Sequence, residues 1–190
     1  MDTMLKRVMR AAKLDVDFFN EVEADTSLNQ EALLVVVLVS AISAVGSFIS
    51  GLMGGTFGSA LLALIVAVVL GVVNYYIWAY ITHFIGSSLF DATSNPGEML
   101  RVLGYASGPR VLGFFSFIPC LGGLLGLAGS VWALVSGFIG TREALDLDTT
   151  KTLVTVVIGW VVIFIITLVI SSVIGVGTMG LGAGLSLLNR

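Results

Sequence analysis

The chain has 190 residues, 57% hydrophobic and only 11% charged, with a mean hydropathy of +1.05. Soluble domains carry about 25% charged residues, so this chain has too little polar surface for a water-soluble globule and lipid must cover the rest. A net charge of −3 and a pI near 4.9 exclude a nucleic-acid binder, and a single cysteine (Cys120) with a single histidine (His83) exclude an internal disulfide and the usual zinc, haem and iron–sulfur ligand sets.

Residues 1–31 read as a short cytoplasmic leader rather than a signal peptide, because the first long apolar run begins only at Ala32. Residues 1–13 carry four bases and one acid, and residues 14–31 carry six acids and no base. Leu5, Val8, Ala12, Val16 and Phe19 fall on one helical stripe, which predicts an amphipathic segment on the inner leaflet. Lys6, Arg7, Arg10 and Lys13 would meet anionic lipid, with Phe18 or Phe19 dipping into the bilayer. The acidic part would face a protein. "SLNQE" offers Ser27 and Gln30 as a capping box before the first span.

Ala32 to Phe90 contains no Asp, Glu, Lys or Arg, and neither do Val111 to Thr141 or Thr152 to Asn189. A helix needs about 20 apolar residues to cross a bilayer. The first block predicts spans near 32–51 and 60–82, joined by the glycine-rich "GLMGGTFGS". "NPGE" then gives Asn95 as a cap, Pro96 at the first helical position and Glu98 in the first turn, so a short helix is expected from Pro96 towards Ala106. The middle block predicts a hairpin with arms at 102–118 and 121–139, turning at Pro119 and Gly122–Gly123. The last block predicts a fifth span at 153–175. The resulting architecture is all-α: a polytopic membrane bundle of five spans over 32–177, with a glycine-rich tail at 178–190. Eight of the nine Lys and Arg residues fall on one side, which places the N-terminus in the cytoplasm and the C-terminus outside.

Association of such helices rests on small residues that let backbones approach. Rows at four-residue spacing nominate Ser47, Gly51, Ala63, Ala67, Gly122 and Gly126 as packing positions; a further row runs through Thr167, Ser171 and Gly175. Buried polar groups are few. Asn74 and Arg110 could line a pathway, and His83 closes the second span as an interfacial residue. Tyr75, Tyr76, Trp78 and Tyr80 read as an aromatic belt. Arginine at mid-span costs about 2.5–3.5 kcal/mol on insertion scales, so Arg110 is expected near the headgroups. No catalytic residue, metal or cofactor is indicated. His83 is the sole candidate base and no nucleophile loop accompanies it, so the chain is not expected to be an enzyme.

The ordered set "LDVDFFNEVEAD", "EMLRVLGYASGP", "FIPCLGGL", "VWAL" and "REALDLDTTKTLVTVVIGW" resembles the Yip (Ypt-interacting protein) family of five-span membrane proteins. Arg110 follows that family's Gly-Tyr…Pro pattern at the cytoplasmic mouth of the third span. The resemblance implies a role in membrane organisation or trafficking. Eukaryotic members associate with Rab-type GTPases and with one another, and help to form transport vesicles. They carry a long cytosolic N-terminal region with an Asp-Leu-Tyr-Gly-Pro motif, which this chain lacks; that puts GTPase binding in question and points to a short prokaryotic-type member of a plasma membrane. The expectation is a non-enzymatic scaffold or accessory subunit whose partners are the bilayer and other membrane proteins or copies of itself. The alternative is a passive pathway for a small solute or lipid around the third and fourth spans.

Overall fold

The computed structural model describes residues 3–166 and residue 168. Seven α-helices are described: α1 (Met4–Ala12), α2 (Val16–Ala24), α3 (Asn29–Gly54), α4 (Phe57–Phe90), α5 (Pro96–Ala106), α6 (Leu121–Ala144) and α7 (Thr149–Ile166). Two 3-10 segments join them, a single turn at Thr26–Leu28 and a longer one at Gly108–Phe117. No strand occurs among the described residues. The helix α3 with its preceding 3-10 turn, and α4, α6 and α7, are long and apolar enough to cross a membrane. The remainder of the last expected span, its Thr167, Ser171 and Gly175 row, and the tail 178–190 lie outside the described residues.

The leader does not form one amphipathic helix. Leu14 takes a left-handed conformation (φ 64°), and Asp15 accepts a hydrogen bond from the Phe18 N–H at 3.1 Å to start α2 afresh. The break swings Phe18 and Phe19 inwards, where they are 1% and 0% exposed. They are therefore core residues and cannot dip into the leaflet. Phe18 meets Tyr105 edge-on with ring centroids 5.4 Å apart. The expected Ser27 capping box is also absent. Asp25 accepts from both the Ser27 N–H (3.0 Å) and its hydroxyl (2.6 Å), so the acid starts the 3-10 turn and α3 follows from it. By contrast Asn95 caps α5 as read, and the structure adds a capping box, with the Glu98 N–H donating to Asn95 Oδ1 at 3.1 Å and the Asn95 N–H donating to Glu98 Oε2 at 2.9 Å.

The arm expected over 102–118 is divided. The helix α5 ends at Ala106, and Pro109 disfavours α geometry in the residue before it. The chain continues as a ten-residue 3-10 segment, at about 2.0 Å per residue, wedged between α3 and α6. Its backbone lies directly against glycines of both neighbours. A Cβ on Gly46 would sit 1.9 Å from the Phe114 carbonyl oxygen, and one on Gly129 would sit 2.6 Å from that of Pro109. After the turn at Pro119–Cys120, α6 runs back antiparallel and ends among α2 and α5.

Candidate functional site: a polar cap and an arginine-bearing cavity

One end of the bundle is closed by α1, α2 and α5, which pack on the ends of α3 and α6. Its centre is Arg101, only 2% exposed. Helix C-termini leave their last carbonyls without intrahelical donors, and this guanidinium supplies them for α2. Its Nε–H donates to the Val22 carbonyl at 2.9 Å and Nη2 to that of Glu23, while Nη1 donates to Asn29 Oδ1 at 2.9 Å. Glu31 is held twice, by the Tyr105 hydroxyl and by Arg7 Nη1, each at 2.7 Å. The C-terminal carbonyls of α1 are taken up by α6: Trp132 Nε1–H donates to Ala12 at 2.7 Å and the Ser136 hydroxyl to Ala11 at 2.9 Å. The leader is thus fastened to the membrane helices by charged and aromatic donors.

This arrangement corrects the expected inner-leaflet set in part. Arg7 is turned to Glu31. Arg10 lies over the Phe18 ring at 5.0 Å and pairs with Asp15 and Glu21, each at 2.7 Å. Both guanidinium groups are therefore engaged by protein acids, not free for lipid. Lys6 and Lys13 remain exposed, and neither forms an ion pair among the described residues. They flank Leu5 and Met9, which are 65% and 46% exposed.

Glu23 has an unusual setting. Its Oε2 is buried and has no hydrogen-bond partner among the described residues. Burial pushes the carboxyl up to about 7, and Asp146, Glu98 and Glu143 nearby add to the rise while Arg101 opposes it.

Inward from the cap, a cavity of about 780 Å³ extends between α3, α4, the 3-10 segment, α6 and α7. On α6 its lining runs from Gly126 to Thr141, about 22 Å at 1.5 Å per residue. Arg110 and Asn74 both line it, together with the hydroxyls of Ser40, Ser43, Ser47, Ser116 and Ser130. The Arg110 carbonyl is fixed by the Ser43 hydroxyl at 2.9 Å. Its guanidinium makes no hydrogen bond or ion pair among the described residues, and the Asn74 amide makes none either. His83 is not part of this lining; its Nδ1 is hydrogen-bonded to Ser94 Oγ at 3.0 Å, joining α4 to the loop before α5.

The packing candidates separate into three groups. Ser47, Ala67 and Gly126 line the cavity. Gly51 faces Ala60 of α4, and Gly122 faces Phe115 and Ser116 of the 3-10 segment. Ala63 is exposed on α4. Of the expected aromatic belt, Tyr75 is buried and donates to the Leu100 carbonyl at 2.6 Å, and Trp78 lines the cavity; Tyr80 alone is largely exposed, at 52%.

An all-α bundle with four helices of this length and hydropathy is an integral, multi-pass membrane protein. The family model of the Yip1 domain matches residues 14–171, most of the chain, and the protein belongs to that family. No curated protein matches it, and no solved structure does. The match begins at Leu14, so α1 lies outside the matched residues, and Trp132 and Ser136 fasten it to them.

Proposed function

We propose that the protein is a non-enzymatic scaffold or accessory subunit of a prokaryotic plasma membrane, with the cap in the cytoplasm and acting as its docking face. The observation that carries this reading is the immobilised leader. A solvated tail would need no hydrogen bonds from Arg101, Trp132 and Ser136, whereas a recognition surface gains affinity from being ordered before its partner arrives. The helix α2 buries Phe18, Phe19 and Val22 and turns Asp17 outwards, an exposed acid that suits a basic residue on the partner. Family membership supports a role in membrane organisation, and the charge asymmetry between the two ends supports the orientation.

Native mass spectrometry after extraction in a mild detergent tests it. A stoichiometric second subunit or a homo-oligomer is expected, lost when Asp17 is replaced by Lys. A monomer without a stoichiometric protein partner would overturn the reading.

A second reading is favoured by one specific observation, the meeting of Asn74 and Arg110 in one cavity. Under it the cavity is part of a passive route for a small solute or lipid. Reconstituted protein that moves no ion, solute or lipid analogue between liposome compartments would exclude that route.

A further inference from the structure

Arg110 is the one charged residue among those lining the large cavity. No acid lines the cavity beside it, and the guanidinium forms no ion pair among the described residues. Arg110 and Asn74 are both exposed where the cavity opens, so the guanidinium is presented to whatever fills that opening, and an anion that meets it there comes from outside the chain.

The shape of the space says what kind. Leu134, Phe138, Val156 and Trp160 line the Arg110 cavity and also a second one of about 390 Å³. That second space lies between α6 and α7 and is completed by Val135, Leu153 and Val157. Its walls are apolar apart from the Trp160 indole, and Trp160 and Val157 are themselves exposed on the membrane-facing surface, at 59% and 52%. A hydroxyl-lined compartment with one cation therefore adjoins an apolar groove whose outer residues are exposed, four residues being common to both walls. A free anion would use the first part and leave the second empty.

We propose that the joined cavities hold a lipid with a net negative headgroup. Its oxyanion sits on the Arg110 guanidinium with Asn74 and the cavity serines as further partners, and one acyl chain lies between α6 and α7. A zwitterionic headgroup fits less well, because no carboxylate lines the cavity to receive its ammonium. The inference rests on the cavity of the second reading and is independent of whether the cap docks a partner.

The test uses the full chain in mild detergent supplied with equal amounts of phosphatidylglycerol and phosphatidylcholine, read by native mass spectrometry. Retention of phosphatidylglycerol over phosphatidylcholine by about tenfold is expected, the worth of one charge-assisted contact pair. Arg110→Gln is expected to abolish the preference and Arg110→Lys to keep part of it. Val157→Trp, which fills the groove and leaves Arg110 untouched, is expected to lower retention of both lipids. The wild-type competition depends on no variant folding. Equal retention of the two lipids would overturn the anionic assignment while leaving the cavity a lipid site. Displacement of phosphatidylglycerol by millimolar inorganic phosphate would assign the site to a free anion and overturn the lipid. Wild-type protein that retains neither lipid would overturn this inference and the lipid form of the second reading together.

Discussion

The Arg101 Nε–H donates to the Val22 carbonyl at 2.9 Å, joining α5 to the last turn of α2 across 79 positions of sequence. With Asn29 and the Glu23 carbonyl also on this guanidinium, one side chain closes the cap. Arg101→Ala leaves buried carbonyls without donors, and the loss is expected to be about 3 kcal/mol. In practice α2 should loosen before the membrane helices do. Limited proteolysis near residues 13–15 and 25–28 checks this: faster nicking with an unchanged detergent-extracted bundle is expected, and unchanged nicking would mean that the apolar contacts of Phe18, Phe19 and Val22 hold α2 alone.

Glu23 makes the same cap pH-sensitive. Its carboxyl is raised from the ordinary value to about 7 in the folded state, so the folded form binds a proton more tightly than the unfolded chain does. The associated stability is full below the unfolded value near 4.5 and is lost as pH rises through about 7. The group is partly open to solvent, so screening reduces the effect to about 1 kcal/mol. Cap unfolding followed by proteolysis at pH 5 and pH 8 is expected to be easier at pH 8, and Glu23→Gln should flatten the difference. An unaltered pH profile in that variant would place the sensitivity elsewhere.

How much of this was legible beforehand depends on how local the cause is. Asn95, Pro96 and Glu98 set the start of α5 within four residues, and α5 lies where that signal put it. The polar residues Asn74 and Arg110 stood out in apolar surroundings, and they do share a cavity. Arg101 stood out only as one more positive charge, because its acceptors belong to α2 and α3, more than seventy positions away. Phe18 and Phe19 were assigned to lipid because a continuous helix was assumed, whereas the left-handed Leu14 turns them to the core. The small-residue rows were sought at four-residue spacing, which is the ridge of an α-helix packing on another. A 3-10 backbone packs against both α3 and α6, so its closest approaches fall at Gly122, which that spacing included, and at Gly46 and Gly129, which it did not.

Those contacts rank the glycines. Gly46→Ala drives a methyl group into the Phe114 carbonyl, and overpacking of this kind is expected to cost about 1–3 kcal/mol. Gly123 faces open space, so Gly123→Ala is expected to be neutral or to stabilise α6 by up to about 1 kcal/mol through helix propensity. Thermal aggregation midpoints in one detergent suffice for the comparison. A Gly46→Ala protein as stable as wild type would show that the 3-10 segment can move off α3 at no cost.

Whether the hairpin crosses the whole bilayer follows from the same packing. Gly122 of α6 touches Phe115 and Ser116 near the turn, and Gly140 touches Phe19 and Val102 in the cap. Eighteen residues of helix separate them, about 27 Å, close to the ~30 Å hydrocarbon thickness. Cys120 is exposed at the far end, beside the first residue of α6. With the cap cytoplasmic, an impermeant thiol reagent added outside intact cells is expected to label Cys120, and the same reagent delivered from the cytoplasmic side is not. A Cys120→Ser control should abolish the signal. Labelling only from the cytoplasmic side, with the cap independently placed there, would make the 3-10 segment and the start of α6 a re-entrant loop. The cavity around Arg110 would then open to water from that side instead of to lipid.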